Sequence, residues 1–188
     1  MPNRHGTKAI KTERLLLRPF RLTDSKAMYT NWTSDDKVTK YVTWPTYKSV
    51  ADADTYLQCI VSHYSEADFY NWGICLKEEP DLVIGNISVN KQFYEIKAAD
   101  IGYVLSHKYW NQGYMTEAVK AVINYLFTSE NFNRIQASHA ANNPGSGKVM
   151  QKSGMQYEGC LRQAVKNNTG ICDKKVYAIL ADEYKQNK

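Results

Sequence analysis

The feature that most constrains the fold is a strand–loop–helix–strand segment between residues 100 and 140. Residues 100–105 form a short β-type run, residues 116–128 repeat apolar side chains at helical spacing, and Arg134–Ala140 is a second strand. A strand, a helix and a second strand in this order form a crossover that is right-handed and pairs its strands in parallel. The segment therefore predicts an α/β fold.

The loop in front of this helix is a candidate phosphate site. A helix N-terminus offers unpaired N–H groups and about half a positive charge, both of which suit a phosphate. Gly113 lies immediately before the helix, and the absence of a Cβ would allow the backbone to approach a ligand closely. The residues alone leave a second interpretation open, in which Gly113 only makes the turn into the helix.

The rest of the chain adds strands and helices around this unit. Pro19 ends a first strand, Ser49 caps a helix with apolar residues at i, i+3 and i+4, and Gly154 ends a short helix that begins at Ser146. Gly102 interrupts the strand at 100–105 and indicates a bulge or a close backbone contact. We predict one domain at residues 12–184, with an N-terminal tail at 1–11 and a C-terminal tail at 185–188.

Composition excludes several classes of protein. The net charge of +5 suits an anionic ligand, but the basic residues are spread along the chain and form no dense run, so nucleic acid is not predicted as a partner. The four cysteines and four histidines lack metal-ligand spacing. Neither a signal peptide nor an apolar run of about 20 residues is present. We therefore predict a cytoplasmic protein without a metal or a membrane partner.

A second motif lies after the strand Arg134–Ala140. Asn143-Pro-Gly-Ser146 precedes a short helix, then Lys152-Ser-Gly-Met155 and Glu158-Gly159. With the loop Trp110-Asn-Gln-Gly-Tyr-Met-Thr-Glu117 and the opening Thr12-Glu-Arg-Leu-Leu-Leu-Arg-Pro19, it resembles the RimJ/RimL-like branch of the GNAT N-acetyltransferases. The resemblance spans roughly residues 12–182. Trp110 and Met115 depart from the wider superfamily pattern, which has Gln or Arg and Gly or Ala at these positions, and the Trp110 substitution is common in this branch. Met155 replaces the Phe of the RimJ/RimL-like motif.

Other phosphate and nucleophile motifs do not match. Gly145-Ser-Gly-Lys148 lacks the first glycine and the terminal hydroxyl of a P-loop. Ser146 is flanked by Pro144 and Lys148 where a nucleophile elbow requires glycines. Taken without the resemblance, Ser146 is an N-cap and Asn143 a turn former.

The resemblance implies a mixed, mostly antiparallel sheet with splayed central strands and helices on both faces. It also implies transfer of acetyl from acetyl-CoA to a primary amine by direct attack. The cofactor would lie between the strands at 100–105 and 134–140. The implied cofactor-binding residues are Tyr103, Val104, Leu105, Asn111, Gln112, Gly113, Tyr114, Met115, Thr116, Glu117, Asn143, Ser146 and Lys152.

The resemblance also implies catalytic roles. Ser146 is the candidate acid that protonates the leaving thiolate, because the tyrosine position of the wider superfamily holds Met150 here. Asn143 would contact the cofactor or the tetrahedral intermediate. Val165 stands where RimL-like enzymes have a glutamate base, so Asp100 becomes the candidate base; the alternative is that Asp100 is a solvated residue at a strand end.

Two matters stay open at the level of sequence. The chain could bind CoA without turnover, as a sensor or an interaction module. The acceptor could be the N-terminal α-amine of a protein, including a ribosomal protein, or a small-molecule amine, and the chain could be a monomer or a homodimer.

Overall fold

The fold is organised around one eight-stranded sheet in a computed structural model that describes residues 4–186. Its strand order is β1-β2-β3-β4-β5-β6-β8-β7. The strands are β1 Ile10–Lys11, β2 Leu15–Arg18, β3 Asn71–Leu76, β4 Glu79–Phe93, β5 Ala98–Leu105, β6 Arg134–Ala140, β7 Gln156–Asn167 and β8 Gly170–Leu180. Every neighbouring pair is antiparallel except β5 and β6, which are parallel. The predicted mixed, mostly antiparallel sheet is confirmed.

The parallel pair β5–β6 separates part of the way along its length. Its register joins Ala98–Ile101 to residues 134–137 and stops there in the described part of the chain. From that point β5 continues against β4, and β6 continues against β8. Unpaired backbone groups of both strands therefore face a gap at the centre of the sheet, which is the splay predicted for the central strands.

Helices cover both faces of the sheet. They are α1 Ser25–Met28, α2 Asp36–Thr39, α3 Val50–Ser62, α4 Tyr114–Thr128, α5 Pro144–Lys152 and α6 Ala181–Gln186. One buried cluster contains Ala118, Val122 and Leu126 of α4 together with Ile101 of β5. A second contains Trp32, Leu57 of α3 and Val83 of β4. The sheet thus has an apolar core on each face. Helix α4 packs on the face from which the Ile101 side chain projects.

Gly102 of β5 lies beside a bulge in the neighbouring strand β4. The β4–β5 register shifts between Val89 and Lys91. A Cβ on Gly102 would lie 2.3 Å from Asn90 Nδ2, inside any allowed contact. The predicted irregularity is therefore a bulge that lies in β4, and the group close to Gly102 is the Asn90 side chain and not backbone.

The N-terminal residues are part of the fold, contrary to the predicted tail at 1–11. Ile10 and Lys11 form β1, Thr7 Oγ1 donates to the Phe69 carbonyl at 2.8 Å, and the Trp72 indole donates to the Lys8 carbonyl at 2.7 Å. The two side-chain contacts join residues more than 60 positions apart, which local sequence patterns do not reveal. Residues 1–3 of the predicted tail lie outside the described residues.

The side chain of Glu130 also holds the N-terminal segment in place. Its buried carboxylate accepts hydrogen bonds from the Tyr70 hydroxyl at 2.6 Å and from the His5 backbone amide at 3.2 Å.

We expect Glu130→Ala to lower the free energy of unfolding by about 2–3 kcal/mol, because buried donors lose their acceptor. Urea denaturation measures this loss. Glu95→Ala, in an exposed turn, is the matched control and should change stability by less than about 0.5 kcal/mol; equal effects of the two variants would contradict the expectation.

The C-terminal part also departs from the predicted boundaries. Lys185 and Gln186 belong to α6, so the predicted tail at 185–188 begins inside a helix, and residues 187–188 lie outside the described residues. The β7–β8 hairpin turns at Asn168. The Asn168 side-chain amide donates to the Thr39 carbonyl at 2.8 Å and to the Trp44 carbonyl at 2.9 Å. The tip of this hairpin is thereby attached to the segment that follows α2.

Candidate active site

The loop before α4 has the backbone geometry of a ligand-facing turn. Gly113 is the N-cap of α4 with φ +84°, and Asn111 has φ +62°. A positive φ favours glycine at this point. The amides that open α4 at Tyr114, Met115 and Thr116 have no acceptor within the helix, as in any first turn. Gly113 makes the turn into α4 and also lines a cavity, so the turn is confirmed and the close approach to a ligand stays a prediction.

The first cavity lies between β5 and the N-terminal ends of α4 and α5, and has a volume of about 300 Å³. Eleven of the predicted cofactor-binding residues line it: Tyr103, Val104, Leu105, Asn111, Gly113, Tyr114, Met115, Thr116, Asn143, Ser146 and Lys152. Lys148, which the sequence analysis did not select, also lines it. The cavity therefore combines free helix amides, two lysines and the unpaired edge of β5, a set that fits a long ligand with phosphate groups.

Gln112 and Glu117, which were also predicted to bind the cofactor, do not line this cavity. The Glu117 carboxylate accepts from Thr12 Oγ1 at 2.6 Å and from Arg14 Nε at 2.7 Å. The Gln112 carbonyl accepts from Arg14 Nη1 at 3.0 Å. Burial raises the pKa of Glu117, but hydrogen bonds from Thr12 and Arg14 outweigh burial and lower it overall. We interpret both residues as supports that hold the loop, through Arg14, in its turned conformation.

Two of the departures from the family pattern have structural explanations. The Met115 side chain is buried in the core, 6% exposed, which leaves its backbone amide at the cavity. The Trp110 indole donates to the Leu105 carbonyl at 2.8 Å and so joins the loop to the end of β5.

A second cavity of about 680 Å³ adjoins the first on the other side of β5. Aromatic side chains form much of its wall, and polar and charged groups lie at its base. Its lining includes Trp32, Tyr41, Trp44, Tyr47, Tyr56, Asn86, Ser88, Asn90, Lys91, Asp100, Ser138, His139, Val165 and Lys174. Asp100 was predicted from the sequence as a member of this set. The aromatic wall was not, because Trp44 and Tyr47 lie in a segment without regular structure.

The two cavities meet at a pair of hydroxyl groups. Six residues line both cavities: Tyr41, Val42, Tyr103, Val104, Asn143 and Ser146. The Ser146 hydroxyl donates to the Tyr103 hydroxyl at 3.0 Å, and the Tyr103 hydroxyl donates to the Ser146 carbonyl at 2.9 Å. Burial raises the pKa of Tyr103, so its phenol is neutral and able to donate. Tyr103 was predicted to bind the cofactor, but the hydrogen bonds between its hydroxyl and Ser146 were not predicted, because only the tertiary structure brings β5 against α5.

The start of α5 differs from the predicted one by two residues. The helix begins at Pro144, with Asn143 as its N-cap, so Ser146 lies in the first turn and is not the cap. Proline at the first helical position is favourable because its missing N–H would be unpaired there in any case. Gly154, with φ +88°, ends the helix as predicted.

Asp100 lies at the base of the second cavity on β5. Its carboxylate accepts from Gln136 Nε2 at 3.1 Å across the parallel pair. Burial raises the pKa of Asp100, and the hydrogen bond from Gln136 and the charges of Lys174 and Lys91 oppose that rise. A partly buried carboxylate with a raised pKa is a better base than an exposed one, which disfavours the interpretation of Asp100 as a solvated strand end.

His139 is a buried residue that sequence reasoning set aside. Its Nδ1 lies 2.8 Å from the Ala140 carbonyl, and its ring stacks on Tyr177 at 5.7 Å. Nε2 has no hydrogen-bond partner among the described residues, and a Cβ on Gly147 would lie 2.6 Å from it. Burial lowers the pKa of His139. The neutral ring therefore packs directly beneath the first turn of α5 and helps to set the position of that turn.

Across residues 4–186, no three His, Cys, Asp or Glu side chains are grouped as metal ligands would be. No helix in the same range is both long and apolar enough to cross a bilayer.

The fold and the paired cavities define an acyltransferase class, and comparison with known proteins agrees. Residues 14–156 match the family model described as an acetyltransferase (GNAT) domain. The chain therefore belongs to the GNAT family of N-acetyltransferases. It is an acetyltransferase that uses acetyl-CoA as donor, and the first cavity has the features that this donor requires.

Individual relatives place the chain more narrowly within the family. It is 36% identical to the N-acetyltransferase p20 of Bacillus licheniformis over 173 residues, which is 92% of this chain and 96% of that protein. It is 34% identical to the ribosomal-protein-serine acetyltransferase of Escherichia coli over 102 residues, 54% of this chain and 57% of that protein. A GNAT-family acetyltransferase structure from Bacillus anthracis superposes with a TM-score of 0.81 at 31% identity, covering 93% and 99% of the two chains. The resemblance to the RimJ/RimL-like branch is confirmed.

Proposed function

We propose that the protein transfers the acetyl group of acetyl-CoA directly to a primary amine of low pKa, such as an α-amine. The amine nitrogen attacks the thioester carbonyl carbon, the carbon–sulfur bond breaks, and the products are an acetamide and CoA. The amine loses one proton to a base, and the CoA thiolate gains one from an acid. The donor occupies the first cavity and the acceptor occupies the second.

One observation carries this proposal, namely that the two cavities share the Tyr103–Ser146 hydroxyl pair. A thioester that ends at this pair has proton donors on its sulfur side and an opening to the second cavity on its carbonyl side. Both substrates are then bound together, which supports direct attack without an acyl-enzyme. Ser146 is the proposed thiolate acid, with Tyr103 behind it, and Asn143 contacts the cofactor or the intermediate.

Asp100 is the proposed base, and its modest strength determines the preferred amine. An α-amine of pKa about 7.8 costs about 1 kcal/mol to deprotonate at pH 7, whereas a lysine side chain of pKa about 10.4 costs about 4.6 kcal/mol. A carboxylate in a partly buried site compensates the first cost more readily than the second.

We therefore expect faster transfer to N-terminal amines than to lysine side chains. The assay compares acetylation, at pH 7, of peptides with a free N-terminus against N-terminally blocked peptides that contain one lysine. Faster acetylation of the lysine peptides would contradict the preference. Tight binding of acetyl-CoA without acetylation of any amine would instead favour a CoA sensor and remove the proposed function.

The second expectation concerns pH and Asp100. Asp100 acts only when deprotonated, so the rate falls as pH falls through its raised pKa. With an amine of pKa about 8, Asp100→Asn should cost less than about tenfold in rate at pH 8.5 and more at pH 6.5, because the amine is already largely deprotonated at the higher pH. The pH–rate profiles of the two proteins measure the difference. Asp54→Asn, a carboxylate that lines neither cavity, is the control. Identical profiles for Asp100→Asn and the parent would remove Asp100 from the mechanism.

A further inference from the structure

The wall of the second cavity is suited to a flat apolar group. The rings of Trp44 and Tyr47 lie 5.4 Å apart at 57°, and both side chains are half-buried. Tyr56 adds a third ring. Burial raises the pKa of Tyr47 to about 12, and burial also raises the pKa of Tyr56. These phenols are neutral, so the wall carries no negative charge. Such a wall makes its most favourable contacts with an aromatic or planar apolar group of the acceptor.

The charges at the base of the cavity do not suit a simple cationic amine. The charged side chains in its described lining are Lys91, Asp100 and Lys174, which sum to one positive charge. The Lys91 side chain is exposed and its ammonium lies over the Phe93 ring at 4.9 Å. Lys174 is half-buried and has no carboxylate within salt-bridge distance in the described chain.

The position of Lys174 makes its charge available to an acceptor. On β8 it lies between Ala140 of β6 and Leu161 of β7, close to the base of the cavity. Its charge acts on Asp100, the proposed base. An acceptor with one ammonium group meets both attraction from Asp100 and repulsion from Lys174. An acceptor that also carries an anion satisfies both residues.

We propose that the acceptor is a small amine that carries an aromatic or planar body and an anionic group, and that Lys174 binds the anion. This inference rests on the proposed function, since it assigns a substrate class to the same second cavity. Lys174 is thereby a specificity-determining residue, and polyamines are disfavoured as acceptors by the net positive charge.

The test compares two acceptors that differ in one charge. In para-carboxyphenylalaninamide and para-carbamoylphenylalaninamide the ring and the α-amine are the same, and only the first has an anion. We expect kcat/KM for the carboxylate compound to be about tenfold higher, as a charge-assisted hydrogen bond allows. Lys174→Met should bring the ratio close to one, and Lys174→Arg should retain it. Lys120→Met, at an exposed lysine that lines neither cavity, is the matched control and should leave the ratio unchanged.

Glutamic acid α-amide has the anion without the ring and tests the aromatic wall. We expect it to be a poorer acceptor than para-carboxyphenylalaninamide. Equal rates for the two para-substituted compounds, or a ratio unaffected by Lys174→Met, would overturn the inference while the proposed function stands. So would faster acetylation of spermidine or of an uncharged peptide N-terminus. Failure to acetylate any amine, with acetyl-CoA bound, would instead overturn the proposed function itself.

Discussion

Gly113→Asp should abolish acetyl-CoA binding while leaving the fold intact. The parent protein is expected to bind in the micromolar range, which corresponds to about −8 kcal/mol at 1 μM. The new carboxylate would lie at the N-terminus of α4, where the proposed pyrophosphate needs free amides and positive potential. Arg14 Nη2 lies 3.3 Å from the position of the new Cβ, but the charge of Arg14 is already paired with Glu117, so it offsets the new negative charge only in part.

Backbone strain requires a matched control for this experiment. Gly113 has φ +84°, which any L-residue adopts at some cost, although asparagine and aspartate tolerate it best. Gly113→Asn has the same shape as Gly113→Asp without the charge. We expect calorimetry to detect binding to the Asn variant, weakened by strain alone, and none to the Asp variant. Unchanged affinity in Gly113→Asp would remove the loop from the cofactor site, and melting curves establish that both variants are folded.

Ser146→Ala should lower kcat roughly tenfold or more with little change in acetyl-CoA affinity. The reason is that the variant removes the proposed proton donor to the thiolate but leaves the amides of α4 in place. A loss of helix capping would instead cost about 1 kcal/mol of stability. The structure makes Asn143 the cap, so we expect the stability of Ser146→Ala to change little.

Variants of the hydroxyl pair identify which group donates the proton to the thiolate. Tyr103→Phe removes the acceptor of the Ser146 hydroxyl, and a double-mutant cycle with Ser146→Ala measures their coupling. If the two groups act as a unit, the double variant should be little slower than the slower single variant. Ser153→Ala, a serine next to the end of α5 that lines neither cavity, is the control. A parent-like kcat in Ser146→Ala would exclude Ser146 as the acid and leave Tyr103 as the donor at this position.

The parts of the fold that were predictable have local causes. The crossover between β5 and β6 followed from apolar spacing within about forty consecutive residues, and the turn at Gly113 followed from one glycine before a helix. The helix that Ser49 caps begins at Val50 as predicted, because Ser49 and Asp52 form a capping box. In each case the residues that determine the structure are neighbours in the chain.

The parts that were not predictable depend on distant residues. The N-terminal segment is ordered by Phe69, Trp72 and Glu130, and nothing in the first eleven residues indicates those partners. The same is true of the hydroxyl pair, since Tyr103 and Ser146 are 43 positions apart. The roles of Gln112 and Glu117 were assigned by resemblance alone, whereas contacts with Arg14 direct them away from the cavity.

The attachment of the β7–β8 hairpin through Asn168 has a consequence for how the fold can open locally. Releasing the hairpin tip breaks two hydrogen bonds from a single amide and leaves both apolar clusters packed. At a net value of about 1 kcal/mol each, this opening costs about 2 kcal/mol, which corresponds to a released population of a few per cent. This hairpin, which carries Val165 and Lys174 of the second cavity, can thus open locally without hinge motion of the sheet or unfolding of any helix.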